Sequence, residues 1–407
     1  MNLLPLTLRI AARNLWRNAR RSFFTMAAIG FGLLCLLVFQ GLKTGLHREM
    51  VTSTVRLDAG SLQVHARGYR SNLTVLRPLL SPHRVETALQ DAGCRAFAPR
   101  LKASGLLMAG RQSSSILLSG VDPAREPEVT FIASRLTSGV YPSPAAGVLI
   151  GQTLAGALKV GVGDELSVMA QNAFGRPVVR RFPVTGIYHT QLDSFDRTHV
   201  YLSLADLQDF LDAEGMVTEI VARFPLGQSA EKAAGLRQVL AGGDYAVSTW
   251  RQIAPDVVQL IELNDATMTL LIVIVFAIVA LGIINTMSMV VYERFRELGI
   301  QAAIGTPPER LVAMIVLESG CLGAAAAMVG TLLGVAACSW LAAHGVDLTA
   351  FTSHNQYFAT SHVLKAHLLV RDLVAANLIT VGTSLVGGLY PAWKASRLEP
   401  VRAVRHV

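Results

Sequence analysis

The sequence predicts a membrane protein of two parts: a bundle of four transmembrane α-helices, and a large α+β extracytoplasmic domain inserted between the first and second helices. Three observations predict this fold class. Four apolar runs are each about as long as the ~20 residues that cross a bilayer, or longer. Hydrophobic residues make up 52% of the 407 residues and charged residues only 16%, which is low for a soluble protein. The net charge of +8 is concentrated at the chain ends, which is typical of membrane topology and not of a nucleic-acid-binding surface.

The distribution of charge predicts that both termini are cytoplasmic. Residues 1–21 contain five arginines and no acid, and residues 391–407 contain four basic residues against one acid. The segment 43–265 instead balances 22 basic and 21 acidic residues. Because cytoplasmic segments carry the excess of Lys and Arg, we expect both ends on that side and an even number of spans between them.

Residues 1–21 are predicted to form a cytoplasmic interfacial helix, since Arg9, Arg13 and Arg17 recur at helical spacing beside apolar residues. A basic tail that only sets the topology is the alternative. The first transmembrane helix is predicted over 22–42. Its apolar run is longer than a signal-peptide core and no small-residue cleavage site follows it, so we expect it to remain as an anchor.

The segment 43–265 is predicted to be a periplasmic α+β domain with stalk helices at both ends. It alternates short β-rich runs, bounded by Gly and Pro, with helical patterns. The second stalk helix is expected over 250–265. Cys94 is the one cysteine of this domain, so no disulfide is expected within it.

The remaining membrane part is predicted to contain three further transmembrane helices. They are expected over 266–291, 311–343 and 372–390, with a periplasmic loop at 344–371 and a cytoplasmic tail at 391–407. The helix over 311–343 is rich in small residues, which let transmembrane helices approach closely. Its predicted helix-packing positions, in the bundle or at a dimer seam, are Gly320, Gly323, Gly330 and Gly334.

The connector, residues 292–310, is predicted to be a cytoplasmic helix with a patterned, charged surface. Its apolar residues recur at helical intervals: Tyr292, Phe295, Leu298 and Ala302. Gly305 can end this helix, and Pro307-Pro308 suits the start of the next one. Three acids balance three arginines here, so anionic lipid explains the segment poorly and a protein partner is favoured. An ordinary inter-helix loop is the alternative.

No motif for catalysis or cofactor binding stands out. The sequence has no G-x-x-x-x-G-K-[ST] phosphate loop, no H-E-x-x-H and no Cys/His spacing of a metal site. It has no G-x-S-x-G motif either, although a catalytic triad can be assembled from residues remote in sequence. We therefore expect a non-catalytic chain that binds no cofactor or metal of its own.

The connector and the helix after it resemble a known family. ERFRELGIQAAIGTPPERL, followed by LESGCLGAAAAMVGTLLG, resembles the cytoplasmic coupling segment of the FtsX-like permease domain, found in lipoprotein-releasing permeases and in MacB-type mechanotransmission ABC transporters. The opening L-R-x-A-x-R-N-L-x-R-N-x-R-R-S and the ending P-A-x-x-A-x-x-x-x-P-x-x-A-x-R also resemble this family. SGVDPAREPEV and YLSLADLQDFL resemble its periplasmic region, in which a β-rich lobe is inserted into a smaller α/β lobe. That lobe is expected at about 121–212.

The resemblance implies a permease subunit of the bacterial inner membrane that couples ATP hydrolysis by a separate ATPase to periplasmic movements. ATP and Mg²⁺ would be bound by a dimeric cytosolic ABC ATPase, and a second permease copy or a paralogue is expected beside this chain. The implied ATPase-coupling residues are Tyr292, Glu293, Arg294, Arg296, Glu297, Ile300, Ile304, Gly305 and Thr306.

Among the roles that the resemblance allows, lipoprotein release from the inner membrane is favoured, because the chain lacks the fused ATPase of MacB-type exporters. Its partners would be a periplasmic carrier or a lipoprotein, and membrane lipid, with no nucleic acid. One departure is the short hairpin between ELSVMAQNAFG and RPVVRRFPVTG, which leaves no room for the carrier-recruiting hook of one lipoprotein-releasing subunit. The alternatives are an export permease with periplasmic and outer-membrane partners, and a transmembrane regulator of cell-wall hydrolases.

Overall fold

The computed structural model describes residues 19–71, 76–143, 147–347 and 363–397. Most of the predicted interfacial helix, the middle of the predicted periplasmic loop and the last part of the predicted tail lie outside these residues. The described chain divides into two compact units. The helical unit comprises the described residues up to His47, Glu262–Val346 and those from Val363 onward; the α/β unit is essentially Arg48–Ile261.

The described residues form twelve α-helices. In chain order they are α1 (Ala19–Thr54), α2 (Pro82–Asp91), α3 (Glu126–Val129), α4 (Gln152–Leu158), α5 (Asp193–Thr198), α6 (Leu204–Phe210), α7 (Ser229–Val239), α8 (Trp250–Ile253), α9 (Pro255–Glu293), α10 (Phe295–Ala303), α11 (Pro308–His344) and α12 (Val370–Ser396). A π-helical turn, Val55–Ala59, directly continues α1, and short 3₁₀ turns lie at Tyr69–Ser71, Ile132–Arg135 and Leu226–Gln228.

The described residues also form twelve strands. They are β1 (Leu62–Ala66), β2 (Ala96–Ala109), β3 (Gln112–Val121), β4 (Leu136–Gly139), β5 (Val148–Gly151), β6 (Glu165–Gln171), β7 (Pro177–Tyr188), β8 (His199–Ser203), β9 (Glu219–Arg223), β10 (Tyr245–Thr249), β11 (Val346–Asp347) and β12 (Val363–Leu364). The first ten belong to one sheet, and each β-rich run expected from the sequence contributes to one of them.

In the α/β unit, the sheet has two parts that share the long strand β2. On one side the order is β10-β1-β9-β2, covered by α2 and α7 through an apolar core that includes Leu62, Leu89 and Leu236. On the other side β2, β3, β8, β5, β7 and β6 pair in a closed ring, because β6 joins β7 back to β2. This ring is a six-stranded barrel whose inward side chains form a second apolar core.

The barrel begins earlier in the chain than the predicted lobe boundary at residue 121. Strand β2 pairs with β9 over Ala96–Arg100 and with β6 over Gly105–Met108, so it passes from one lobe into the other along its own length. Gly105 lies where β2 begins to pair with β6. There is no room for a side chain here, because a Cβ would lie 2.9 Å from the Met169 carbonyl oxygen of β6. The β-rich run LLMAG, residues 106–110, predicts only the last part of this strand. Its sharing between lobes depends on pairing partners that are far away in the chain.

In the helical unit, α9, α11 and α12 are long and apolar enough to cross a membrane, as is the helix Ser22–Ala59 that contains most of α1. These are the four such helices among the described residues, which agrees with the four predicted spans. The fourth span was predicted to end before Pro391, but α12 continues through this proline to Ser396. Ala392 and Ala395, beyond the proline, are buried in the cluster that includes Leu298 and the ends of α9 and α11.

The predicted stalk helix over 250–265 is interrupted in the structure. Helix α8 ends at Ile253, and α9 starts at Pro255. Ala254 between them has φ −120° and ψ 69°, outside the helical region. The residue before a proline is disfavoured in helical conformation because the proline ring collides with its backbone, so Pro255 separates the two helices.

The four glycines predicted as packing positions all lie where α11 contacts another helix of the same unit. A Cβ on Gly330 would lie 2.6 Å from the Gly30 carbonyl oxygen of α1, and one on Gly334 would lie 2.7 Å from Leu37. On the α12 side, a Cβ on Gly320 would meet Leu385, and one on Gly323 would meet Ser384. Helix α11 therefore lies close to both α1 and α12 because these positions carry no side chain.

Substituting Gly330 by alanine is expected to destabilise the protein by about 1–3 kcal/mol, the usual range for overpacking, because the added methyl group meets backbone atoms of α1 that cannot rotate away. Thermal unfolding of the full chain in detergent measures the effect. The matched control is Gly382→Ala in α12, where a Cβ meets nothing within 4 Å; it should be neutral or stabilising by up to ~1 kcal/mol. Equal midpoints for the two variants would contradict the packing at Gly330.

Candidate functional site

The connector joins α9 to α11 through the short helix α10, and an ion pair fixes where α10 begins. Arg294 lies at the break between α9 and α10, with φ −103° and ψ 17°. Its Nη1 lies 3.0 Å from a carboxylate oxygen of Glu318 in α11, and its Nε lies 3.1 Å from a carboxylate oxygen of Glu297. Both Arg294 and Glu318 are largely buried, so the ion pair holds the start of α10 against α11.

The underside of α10 is apolar and packs on the bundle. Leu298 is buried in a cluster with Val291 of α9, Leu311 and Ile315 of α11, and Ala392 of α12. One short helix thus contacts the ends of three long helices at once. Because close-packed side chains transmit displacement instead of absorbing it, a force applied to α10 acts on all three of these helices.

The opposite face of α10 is exposed although part of it is apolar. Ile300 of α10 is 46% exposed and Ile304, directly after α10, is 78% exposed. Tyr292, near the end of α9, is 56% exposed, and the exposed charged residues Arg296 and Glu297 lie between it and the two isoleucines in the chain. Exposed apolar side chains rimmed by charges are typical of protein–protein contact surfaces. We call this surface the α10 face; it also includes the exposed residues Glu293 and Gly305.

A glycine ends the connector helix. Gly305 has φ +91°, a conformation that side-chain-bearing residues rarely adopt. Its N–H donates to the Ala302 carbonyl oxygen at 3.1 Å, and the Thr306 N–H donates to that of Gln301 at 3.0 Å. Pro307 then precedes the first turn of α11, where the missing N–H of Pro308 leaves no bond unmade.

The structure places eight of the nine predicted coupling residues on or at the edge of the α10 face. Arg294 differs, since its guanidinium already binds two carboxylates of this chain. Two partners were not identified from the sequence: Glu318 for Arg294, and Lys394, whose ammonium group donates to the Tyr292 hydroxyl. Glu318 could have been noticed in the sequence as the single carboxylate of the apolar run 311–343, but no neighbouring residue in the sequence identifies Arg294 as its partner.

A second group of closely contacting charged side chains lies inside the α/β unit. We call it the ion cluster: Asp58, Arg100, Lys102, Glu126 and Glu219. Arg100 is completely buried and binds Glu126 through both carboxylate oxygens, at 2.6 and 3.1 Å. Its Nη1 also donates to the carbonyl oxygen of Asp58 at 2.7 Å and to its carboxylate at 3.0 Å. Lys102 lies 2.7 Å from the Asp58 carboxylate and 3.1 Å from that of Glu219.

Electrostatics keeps the cations of this cluster charged in spite of their burial. Burial alone lowers the pKa of Arg100, but Glu126 and Asp58 outweigh it and raise the pKa well above the ordinary value. Burial also lowers the pKa of Lys102, but the Asp58 and Glu219 carboxylates outweigh burial, so this pKa is raised as well. A buried charge with its partner removed costs several kcal/mol, so each member depends on the others.

His199 lies beside the ion cluster and stays neutral. Burial lowers its pKa from 6.5 to about 4, even though the Asp58 carboxylate favours the protonated ring. The ring stacks on Phe195 with 3.7 Å between centroids. Around this cluster, as elsewhere in the described residues, no group of three or more His, Cys, Asp or Glu side chains could hold a metal ion.

Comparison with known protein families gives two matches that together span most of the chain. Residues 22–237 match the MacB-like periplasmic core domain, and residues 269–400 match the FtsX-like permease C-terminal domain. The first match covers the α/β unit up to α7, and the second contains the connector and the helices that α10 contacts.

Individual relatives have low sequence identity to this chain but align with it over nearly its whole length. The chain is 24% identical to the lipoprotein-releasing system transmembrane protein LolC of Xylella fastidiosa (strain Temecula1), over 99% of each chain. It is 22% identical to the macrolide export ATP-binding/permease protein MacB of Sodalis glossinidius, over 98% of this chain and 60% of that protein. Among solved structures, the periplasmic region of MacB from Actinobacillus actinomycetemcomitans aligns with half of this chain and 94% of its own, at 13% identity and a TM-score of 0.35.

The lowered pKa of His199 predicts a pH dependence of stability. As the pH falls below about 6.5, the unfolded chain takes up a proton at this ring before the folded chain does, so the folded state loses stability down to about pH 4. Between pH 7 and pH 5 the His199 contribution should fall by up to ~2 kcal/mol. Urea titrations of the full chain in detergent should show this loss, and His199→Gln should remove it.

The control for this experiment is His83→Gln, since the His83 side chain is 94% exposed. This variant should keep the pH dependence of the natural chain. A His199→Gln variant that loses as much stability between pH 7 and pH 5 as the natural chain would show that this ring does not titrate as a buried group.

Proposed function

We propose a function from one premise: the chain belongs to the ABC transporter permeases that join a MacB-like periplasmic core domain to an FtsX-like C-terminal domain. In our proposal it is a non-catalytic subunit that couples ATP hydrolysis by a separate cytosolic ATPase dimer to movements of the α/β unit. ATP and Mg²⁺ would be bound by that ATPase. A second permease, a copy or a paralogue, would complete the complex.

The observation that carries the coupling role is the two-sided character of α10. Its exposed face offers Tyr292, Ile300 and Ile304 beside charged residues, as a docking surface requires. Its buried face and the ion pair between Arg294 and Glu318 attach it to the long helices. A partner that grips the α10 face would therefore move the helix ends and not merely a loop.

We propose that the α/β unit is periplasmic, that both termini are cytoplasmic, and that the protein lies in the bacterial inner membrane. The five arginines within residues 1–21 and the four basic residues within 391–407 support this orientation through the positive-inside rule. The balanced charge of the segment 43–265 is compatible with translocation. The α10 face would then be cytoplasmic, as docking of the ATPase requires.

The substrate that we propose is a lipoprotein, released from the inner membrane. The support is the similarity to LolC, which extends over 99% of both chains. The partners would then include a lipoprotein, membrane lipid and a periplasmic carrier. Strands β6 and β7 are joined by residues 172–176 alone, a turn too short for a hook, so our proposal includes no hook-type contact with the carrier at this hairpin.

A second candidate function is export with periplasmic and outer-membrane partners. It is favoured by the similarity to the macrolide exporter MacB over 98% of this chain. Regulation of cell-wall hydrolases, the third role that the family resemblance allows, has no observation of this kind behind it. Release and export differ in partners and in substrate, so one experiment can separate them.

Disrupting the α10 face should detach the ATPase. The double variant Arg296→Ala with Ile304→Ser removes an exposed charge and the most exposed apolar anchor, and it leaves the buried contacts of Leu298 and Arg294 intact. We expect at least a tenfold lower yield of ATPase co-purifying with the chain, since interface anchors commonly contribute 2 kcal/mol or more. Quantitative affinity purification from membranes measures it.

The matched control is Val179→Ser with Arg181→Ala, an exposed pair of the same chemical types on β7 of the α/β unit. It should leave ATPase recovery unchanged. If the connector double variant retained normal recovery while the protein stayed folded, the α10 face would not be the docking surface.

Release of lipoprotein can be measured in spheroplasts or proteoliposomes that contain the chain and its co-purifying ATPase. Addition of ATP should transfer a tri-acylated lipoprotein from the membrane to the soluble fraction at least tenfold faster than ADP does. The same preparation should not move a macrolide across the membrane. Transport of the macrolide without lipoprotein release would instead establish the exporter, and co-purification of a peptidoglycan hydrolase without either activity would favour the regulator.

A further inference from the structure

The ion cluster lies at the point where the first long helix enters the sheet. Asp58 belongs to the π-helical turn Val55–Ala59, which continues α1 without a break. Gly60 ends the turn at φ +62°, and a Cβ there would lie 2.2 Å from a methyl carbon of Val221 in β9. The turn is therefore pressed against the sheet, with Asp58 as its charged residue beside Arg56.

The turn is held by its backbone as well as by its side chain. Arg100 donates one guanidinium N–H to the carbonyl oxygen of Asp58 and to its carboxylate. Lys102 places its ammonium group within 3.0 Å of both oxygens of that carboxylate. The Phe131 N–H also donates to the Arg56 carbonyl oxygen at 3.0 Å. Charged, multiply bonded contacts of this kind fix direction as well as distance.

The strand that holds the turn is the one that serves both lobes. Arg100 stands opposite Val121 of β3 and opposite Glu219 of β9 in the two ladders of β2. Its far side is fixed by Glu126 of α3, whose carboxylate also accepts from the Thr130 hydroxyl. A displacement of the turn would thus enter the barrel and the smaller lobe through the same strand.

The return helix is attached differently. The helix pair α8 and α9 is interrupted at Ala254, and Arg70 donates to the Ile253 carbonyl oxygen just before this break. A cleft of about 580 Å³ is lined by residues of both helix ends, among them Leu57 and Asp58 on one and Ile253 and Val257 on the other. In the α/β unit, one helix end is bound by a network of charges and the other is attached next to a break.

We propose that the ion cluster is the joint through which the first long helix moves the α/β unit, with Asp58 as the positioning residue of the helix and Arg100 and Lys102 as those of the sheet. This inference rests on the proposed function, since it presumes that movement passes from the ATPase to the α/β unit. A buried ion cluster is a poor way to gain stability, because apolar residues of similar volume often stabilise as much. What the cluster provides is a stiff attachment of fixed geometry.

The test uses the complete complex with its ATPase. Spin labels are attached at Arg111→Cys, in the turn between β2 and β3, and at Arg371→Cys, an exposed position at the start of α12, with the four native cysteines replaced. Pulsed electron resonance then measures the distance between labels with ADP and with ATP. In the labelled chain without further substitutions, the distance between the labels should differ between ADP and ATP. In Asp58→Asn at least half of this nucleotide-dependent shift should be lost, while the ATPase rate stays within twofold of that of the chain without this substitution.

A control separates a joint from a merely stabilising contact. Asp196 is a buried carboxylate of the same unit, held by the Thr190 hydroxyl and by His189 and making no contact with the π-helical turn. Asp196→Asn should also change the thermal midpoint, yet keep the nucleotide-dependent shift. If Asp58→Asn does not fold, Lys102→Gln and Lys102→Arg replace it: the first should lose the shift and the second should retain it.

The outcomes are distinct. A natural chain with no nucleotide-dependent shift would overturn the proposed function itself. A natural chain with the shift, and an Asp58→Asn or Lys102→Gln variant that keeps both the shift and lipoprotein release within twofold, would overturn the joint and leave the proposed function standing. Loss of the shift in Asp196→Asn to the same extent would show that stability, not the joint, controls the movement.

Discussion

Taking a charge out of water costs free energy unless an opposite charge is held close to it, and this constraint explains two places where the described part of the chain buries ions. At the start of α10, the carboxylate of Glu318 is buried only because Arg294 reaches it at 3.0 Å. At the end of α1, Asp58 shares Arg100 and Lys102 with Glu126 and Glu219. In each place the helix end cannot leave its partner without exposing or isolating a charge.

The two ion-paired points differ in what surrounds them, and this difference suits different tasks. The connector keeps an exposed face beside its ion pair, so a partner can bind there without disturbing the buried contact. The ion cluster is enclosed by strands and joins the π-helical turn to a strand of both lobes. The connector can thus receive a force and the ion cluster can deliver it, provided that the helices between them are stiff enough to transmit it. The close contacts of α11 at Gly330 and Gly334 give the bundle this stiffness.

The features that the sequence predicts well are those with a local cause. Hydrophobic length predicts the four long helices, short β-rich runs bounded by Gly and Pro predict the strands, and Gly305 with Pro307-Pro308 predicts the turn before α11. Two prolines were misjudged from the sequence: Pro255 separates two helices where one stalk helix was predicted, whereas Pro391 lies inside α12 where the span was predicted to end. The ion cluster could not be predicted from the sequence, because members such as Lys102 and Glu219 lie far apart in the chain. Arg100 and Lys102, two residues apart on one strand face, are a local indication of the cluster, but the sequence does not identify their carboxylate partners.

The scarcity of ionisable residues in the four spans favours a bundle that transmits motion over one that forms a polar route for a substrate. Between residues 22–42, 266–292, 311–343 and 373–393, Glu318 is the one acidic or basic side chain, and Arg294 at the end of α9 neutralises it. A charge at the centre of a bilayer costs at least ~2.5–3.5 kcal/mol and is kept mainly where it binds an ion or substrate. A polar route would need several such groups facing one another, and the contacts between helices here are instead made by glycines and by single hydroxyl pairs such as Thr25 with Thr286. These segments therefore offer a substrate few charged groups, which is compatible with the proposed function of a permease that works by moving its α/β unit.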